Sequence, residues 1–538
     1  MTLTEKPNME SSPPRLCQNK QAAYSQTFDF EITVDNLRTV KTKLIDALGP
    51  EWVSDDPEVL TCYCRDFTAR VGKWPNLVAM PSTTEEVQAI MRVAHEHRIP
   101  VVPYSTGFNH GGTALPQWGG ILVDLKRMDR VVAVDEEGMT MTLQPYVGNA
   151  RAYTAANEFQ ALEGLPLKPA VPMTMGSAST LCNYVSRGFS GSAGKYGGHS
   201  ENIVNMTWVL PDGEILRFGP GSFPNVGDVP VQFGPGPDIS GMFISADGMM
   251  GICTEITIKV FPEQPAEKMY YLMPGSKEQA ALRECIEFFF RISQANLMIF
   301  IYKMCHTDAL VMLPAEVNAE DVMEMVPEHA VVVILAGLNE EELRIKEEIM
   351  LEMAEQCNLD LANLELLASM IGVTMHKDSF KKIYQAGKVM RPKGSFQWIA
   401  GYYRMDLVPN LMEDYKKIVT RYWKPSNPRV PYALAMSGTH MQGPLPFGRL
   451  TTIEFDFWWD PGNPEEVKRA IVTLKQMGEM MMDHGVIFAK NLVGTYELLP
   501  RLGVYYDLVC RAKKMMDPHN LMHPDVMPVG PAYARDSN

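Results

Sequence analysis

The sequence predicts a two-lobed protein of mixed helix and strand, and three observations carry that prediction. Its 538 residues exceed what one hydrophobic core usually organises. From Ser82 to Pro262, short apolar strands alternate with a capped helix and glycine-rich loops. Beyond Pro265 the texture shifts to longer amphipathic helices, such as Glu340 to Cys357, mixed with strands such as Val331 to Leu335 and Thr451 to Trp459.

Each element has a local cause. Residues 1–33 carry little periodic hydrophobicity and read as a flexible arm. Ser82 and Thr83 stand three residues before Glu85 and Glu86 in capping-box spacing, and Val87, Ile90, Met91 and Ala94 repeat at helical intervals, so a helix runs to about Arg98. Ile99 to Tyr104 and Ile121 to Leu125 read as buried strands, with turn chemistry from Ser105 to Gly112 between them. Arg130 to Gln144 reads as a hairpin broken at Asp135 to Gly138. A second hairpin turns at Pro211-Asp212-Gly213. Between the hairpins lies a Gly/Ser/Thr-rich passage, Pro169 to His199, whose embedded aromatic residues favour a chain wrapped around something. Ile252 to Phe261 is an apolar strand closed by Pro262.

Composition excludes several functions. With 64 acidic and 49 basic side chains the net charge is −15, which argues against a nucleic-acid partner. No segment offers the roughly 18 uninterrupted apolar residues of a membrane span. Met1 to Cys17 lacks a basic start and apolar stretch, so a cytoplasmic location is expected. The nine cysteines are scattered, with only Cys62 and Cys64 close together, and are expected to be reduced thiols rather than disulfides or metal ligands. His95 and His97 diverge on their helix, and His519 and His523 flank prolines, so no metal site is expected. No GxGxxG after a strand, no GxxxxGK[ST] and no GxSxG occurs, which disfavours a Rossmann dinucleotide site, a P-loop and an α/β-hydrolase.

The main positive signal is Pro103-Tyr104-Ser105-Thr106-Gly107-Phe108-Asn109-His110-Gly111-Gly112, directly after an apolar strand. Glycines let backbone N–H groups close on a pyrophosphate, and Ser105, Thr106 and Asn109 add neutral donors. A second run follows: Pro172-Met173-Thr174-Met175-Gly176-Ser177, then Asn183, Arg187-Gly188, Tyr196-Gly197-Gly198-His199 and Val209-Leu210-Pro211-Asp212-Gly213-Glu214. A third comprises Phe233-Gly234-Pro235, Asp238, Gly241-Met242-Phe243 and Met250-Gly251-Ile252-Cys253-Thr254.

In content and order these runs resemble the flavin-cradling stretches of the vanillyl-alcohol oxidase and p-cresol methylhydroxylase (PCMH-type) family. The resemblance implies an α+β fold: an FAD-binding lobe of two α/β subdomains over residues 34–265, and a cap of antiparallel sheet and helices over 266–495. A segment over 496–538 would return to the first lobe. Asp517-Pro518-His519-Asn520-Leu521-Met522-His523-Pro524 is similar to the family's DPNGIxxPGK tail, although the lysine is absent. It implies an FAD-linked oxidase or dehydrogenase acting on a small molecule, with FAD held by Pro103, Ser105 to His110, Met173 to Ser177, Asn183, Gly198, His199, Gly251 and Ile252. A homo-oligomer is expected, and in a dehydrogenase a separate electron-acceptor protein.

Departures from the family pattern matter as much. Where the phenol-oxidising branch binds phenolate with a Tyr–Arg pair, this chain has Phe488-Ala489. The family tyrosine behind the first loop falls near Gly112, and the aspartate facing flavin N5 falls near Met173. Histidines that tether FAD in some members match Phe396 and Phe108, so non-covalent FAD is expected. Asp483-His484-Gly485-Val486 with Lys490 partly echoes the GEHGxGxxK motif of glycolate and D-lactate dehydrogenases, whereas their HxGDGN run is absent. Those 2-hydroxy-acid enzymes give the alternative function, and non-redox flavin synthases a third.

Flavin oxidation needs a group that takes the substrate proton and a cation that stabilises charge. Tyr402-Tyr403-Arg404, His440, Arg449 and Lys490 lie in or near cap strands, and the catalytic candidates are His440 as base, Arg449 or Lys490 as anion holder, and Tyr403. Glu454 and Asp456 alternate with Ile453, Phe455 and Phe457, which marks a wet strand face or, if that face meets the flavin, two further bases.

Overall fold

The computed structural model describes residues 30–305, 327–363, 395–423, 439–488 and 495–524, without 67, 71, 109–110, 162–163, 171–173, 187, 189–190, 227–233 and 235. Most of the arm expected over 1–33 therefore lies outside the described residues. A capped helix, Val34–Leu48, begins with the Thr33 hydroxyl accepting from the Asn36 amide. In the same way Thr83 starts Thr84–His97, and Glu86 reaches back to the Ser82 amide at 2.6 Å, completing a reciprocal cap.

Strands β1 (Val53–Ser54), β2 (Leu77–Ala79), β3 (Val101–Tyr104) and β4 (Ile121–Asp124) form a sheet of order β1-β2-β4-β3, in which β2, β4 and β3 are parallel. Burial on both faces suits such continuous apolar runs. A second sheet comprises β5 (Val131–Asp135), β6 (Thr140–Leu143), β7 (Leu167–Pro169), β8 (Ile203–Val209), β9 (Ile215–Arg217) and β10 (Ile252–Pro262), ordered β5-β6-β10-β8-β9 with β7 also on β10. Both expected hairpins are present, β5 with β6 and β8 with β9. The Gly/Ser/Thr-rich passage holds two short helices, Thr180–Val185 and Ala193–Tyr196.

The third sheet is antiparallel wherever its pairs are described: β11 (Ala266–Pro274), β12 (Met298–Cys305), β13 (His329–Gly337), β14 (Leu359–Leu361), β15 (Ser395–Tyr403), β16 (His440–Gln442), β17 (Thr451–Trp459) and β18 (Ile487–Phe488), ordered β14-β11-β13-β12-β16-β17-β15-β18. Ile301, Val331, Val333, Met441, Ile453, Phe455, Phe457 and Trp459 share one core with Phe288, Met350, Tyr415 and Met477. The helices carrying those four residues, Glu278–Ala295, Glu340–Gln356, Val408–Tyr422 and Pro464–Asp483, thus cover one face of the sheet. Strand alternation sends the intervening residues to the other face.

The chain then returns to the first lobe. Cys510 and Ala512 of helix Val504–Met516 join the core of the second sheet. Met522 joins that of the first sheet and makes a parallel bridge to Val101.

Candidate active site

The first glycine loop leaves β3 at Tyr104 and turns at Gly107, whose φ of +75° favours a residue without a β-carbon. It is tied to the second stretch by hydroxyls. Ser105 Oγ and Ser179 Oγ both donate to the Pro145 carbonyl, at 2.7 and 2.6 Å, and the Ser179 amide donates to Thr106 Oγ1 at 3.1 Å. Asn149 and Ala150 amides bond the Ala178 and Gly176 carbonyls, which fixes Thr174 to Ser179 beside the loop. Farther along, Asn183 donates to the Ser179 carbonyl, and the Gly188 amide to the Asn183 carbonyl. A β-carbon on Gly188 would lie 2.7 Å from the Asn183 oxygen and 2.9 Å from His199 Nδ1, so only glycine permits this approach. His199 is buried and stacks on Tyr184 with centroids 4.9 Å apart.

Behind the first loop the chemistry is aromatic and anionic. Tyr63 OH donates to Asp124 Oδ2 at 2.7 Å, and Lys126 meets the same oxygen at 2.9 Å. Tyr104 meets Tyr63 edge-on, and burial, with Asp124 next in effect, pushes its hydroxyl up to about 12. Asp66, which shares the neighbourhood, is also raised by burial, while its Oδ1 accepts from the Thr68 amide and hydroxyl.

The cap contributes a row of side chains. Register places Tyr302 opposite Gln442 and His440 opposite Glu454, with Asp456 opposite Trp398, all on the sheet face away from the four helices. His440 Nδ1 is hydrogen-bonded to Tyr302 OH, and its Nε2 lies 2.9 Å from Asp456 Oδ2. The His440 and Asp456 side chains are only 5% and 8% exposed, so this pair interacts in a poorly screened setting. Lys303, fully buried, donates to the Thr439 carbonyl at 2.6 Å, and Thr439 Oγ1 donates to the Glu454 carbonyl, which pins the strand just ahead of His440. The same face meets the first lobe: Gly191 lies against the Phe300 ring, and its carbonyl accepts from the Ile301 amide.

Against known proteins, a family model described as an FAD binding domain matches residues 75–219. This chain carries an FAD-binding domain. The chain is 30% identical to the glycolate oxidase subunit GlcD of Bacillus subtilis (strain 168) over 246 residues, 45% of this chain and 49% of that protein. It is 30% identical to the 4-cresol dehydrogenase [hydroxylating] flavoprotein subunit of Pseudomonas putida over 199 residues, 36% of this chain and 37% of that one. Each match thus spans half or less of the relative. Crystalline p-cresol methylhydroxylase with substrate bound superposes with a TM-score of 0.74 and 19% identity over 92% of this chain and 97% of its own, which shows a shared fold.

The FAD-binding domain's residues fit a pyrophosphate nucleotide. Across Pro103 to Phe108 and Thr174 to Asn183 no side chain is charged. Among the described residues, the amides of Thr106, Gly107, Gly176 and Ser177 donate to no protein acceptor; Ser177 is exposed and the other three residues are partly buried. A group of unclaimed N–H donors in glycine turns suits an anion without competing carboxylates. FAD is the cofactor of this domain.

Of the expected cofactor contacts, Pro103, Ser105, Thr106, Gly107, Phe108, Thr174, Met175, Gly176, Ser177, Asn183, Gly198 and His199 lie along these linked loops. Ile252 does not face them: it is 1% exposed and packs with Val209 and Met522 in the core of the first sheet, with Gly251 close against the Val209 carbonyl. Asn109, His110 and Met173 lie outside the described residues, as does Lys490.

In the cap the candidates separate. Tyr403 sits opposite Thr451 with its side chain in the helix-packed core, so strand alternation puts it on the face opposite His440. Arg449 is exposed at the turn between β16 and β17. The expectation of a wet face at Asp456 is corrected: that carboxylate is buried against His440. Tyr302 was not anticipated, because it meets His440 across 138 residues with no local signal.

Proposed function

We propose that the chain is an FAD-linked oxidoreductase that oxidises a small alcohol-type substrate, with His440 as the proton acceptor. When bound, FAD supplies a two-electron acceptor at N5. The observation that carries the reading is the Tyr302–His440–Asp456 row on the cap face that meets the FAD-binding domain. The Asp456 carboxylate favours a proton on Nε2 and stabilises the imidazolium, which leaves Nδ1 to accept from Tyr302. A substrate hydroxyl docked at Tyr302 loses its proton to that oxygen as Tyr302 passes its own to Nδ1. Bound FAD would supply the acceptor for the hydride that leaves the carbon as it becomes a carbonyl. Proton and hydride together account for the two electrons and two hydrogens removed.

FAD is dissociable in this reading, since phenylalanine at positions 108 and 396 offers no nucleophile for a tether. The similarity to a glycolate oxidase subunit supports a second reading, a flavoprotein dehydrogenase of 2-hydroxy acids that hands electrons to a separate acceptor. Arg449 is then the cation available to the carboxylate. That similarity spans 45% of this chain, and the HxGDGN run is missing, so the alcohol reading stands first. Substrate classes are separated by anaerobic mixing with aromatic alcohols, 2-hydroxy acids and phenols, following loss of flavin absorbance. Bleaching by an alcohol class is expected. No bleaching by any class contradicts the oxidoreductase reading, and bleaching by 2-hydroxy acids alone favours the second.

A further inference from the structure

The turn Asp517–Pro524 is anchored beneath the root of the first glycine loop. Lys513 and Asp517, each 1% exposed, pair at 2.6 Å. Lys513 also donates to the carbonyls of Met249 and Met522, while Asp517 accepts from the amides of Leu521 and Met522. The Val101 amide donates to the Leu521 carbonyl and the His523 amide to the Val101 carbonyl, so the turn runs beside β3.

His523 is 4% exposed at this junction. A β-carbon on Gly248 would lie 2.7 Å from Pro103 Cγ and 3.1 Å from His523 Nδ1, which sets the imidazole close to where the first loop begins. Nδ1 bonds the Asp247 carbonyl at 2.8 Å, and because a carbonyl only accepts, Nδ1 holds the proton. Nε2 of the neutral ring is therefore a bare acceptor. It is buried and meets no donor among the described residues. Protonation offers no escape, since burial first, and then the charges of Arg70 and Lys513, push the imidazole down to about 3. Asn520, 1% exposed, also leaves both side-chain polar atoms unmatched. Other buried polar atoms are unmatched elsewhere among the described residues, but these two stand three residues apart beside the root of the first loop, and buried polar groups are usually satisfied.

We propose that His523 is a cofactor contact, its Nε2 accepting a hydrogen bond from an N–H or O–H of bound FAD, so that the C-terminal turn forms part of the nucleotide site. FAD offers such donors in its flavin imide, its hydroxyls and its adenine amine; a bare acceptor repels the pyrophosphate. The inference rests on FAD being the domain's cofactor and is independent of the substrate and of His440.

Apoprotein titrated with FAD, followed by flavin fluorescence, tests it. His523→Leu keeps the bulk and removes the acceptor; FAD is expected to bind roughly tenfold more weakly, the effect of one lost hydrogen bond. The apoprotein's thermal midpoint should hold or rise, because the acceptor is unmet without FAD. Binding within twofold of the parent overturns the proposal and assigns Nε2 to an ordered water. Should the leucine variant fail to fold, hydrogen exchange of the unaltered apoprotein decides: FAD is expected to slow exchange across residues 517–524 at least tenfold, and unchanged exchange overturns the proposal.

Discussion

Asp456 shows how a single residue changes meaning once its neighbour is known. Beside His440 Nε2 it would, in the proposed reading, direct the incoming proton to Nδ1, so Asp456→Asn should lower the rate of substrate-driven bleaching about 100-fold while FAD content stays the same. Single-turnover absorbance measurements check this, and a rate within threefold of the parent assigns Asp456 to packing alone. His523 carries a second prediction at this scale. Its folded value of about 3 lies below the ordinary 6.5, so as pH falls the unfolded chain takes up the proton first. The stability this residue supports is complete above pH 6.5 and is lost as pH drops toward 3. Urea unfolding of apoprotein at pH 7.5 and 5 should show the parent losing about 2 kcal/mol more than His523→Leu. Residue types at the site were legible in the sequence, since a histidine in a cap strand is a natural base. Partners were not: Asp456 looked solvated because alternation along one strand does not reveal what lies opposite.

At the scale of elements, local chemistry explains what could be read. The Thr83–Glu86 cap, the hairpin turns and the apolar runs of β3, β4, β10 and β17 are encoded by neighbours in sequence, and they form where expected. Tyr302 meeting His440, and Lys513 reaching Met249, join distant segments that no periodicity connects. Tyr403 lies on the face opposite His440 for a related reason: a shift of one position along a strand exchanges the two faces. The C-terminal helix and its turn give a prediction of their own. Asp517→Asn leaves Lys513 buried without its countercharge, and the loss should be about 3–5 kcal/mol, read from the urea midpoint. A loss below 1 kcal/mol means the lysine finds another anion or an exit to solvent.

Across the whole molecule, the proposed reading joins the two glycine-rich stretches and the cap row into one site. In the proposed reading the FAD-binding domain supplies neutral hydroxyls and unclaimed amides and the cap supplies the proton acceptor; the two parts meet at Gly191 and Phe300. Acid precipitation checks how the cofactor is held: dissociable FAD gives a yellow supernatant and a colourless pellet, and colour retained in the pellet indicates a covalent link. The most direct measurement is the anaerobic bleaching rate of His440→Ala, loaded with FAD to the parent's content and mixed with the substrate found by screening. Transfer of the proton to His440 predicts a rate at least 100-fold below the parent; bleaching at the parent's rate contradicts it.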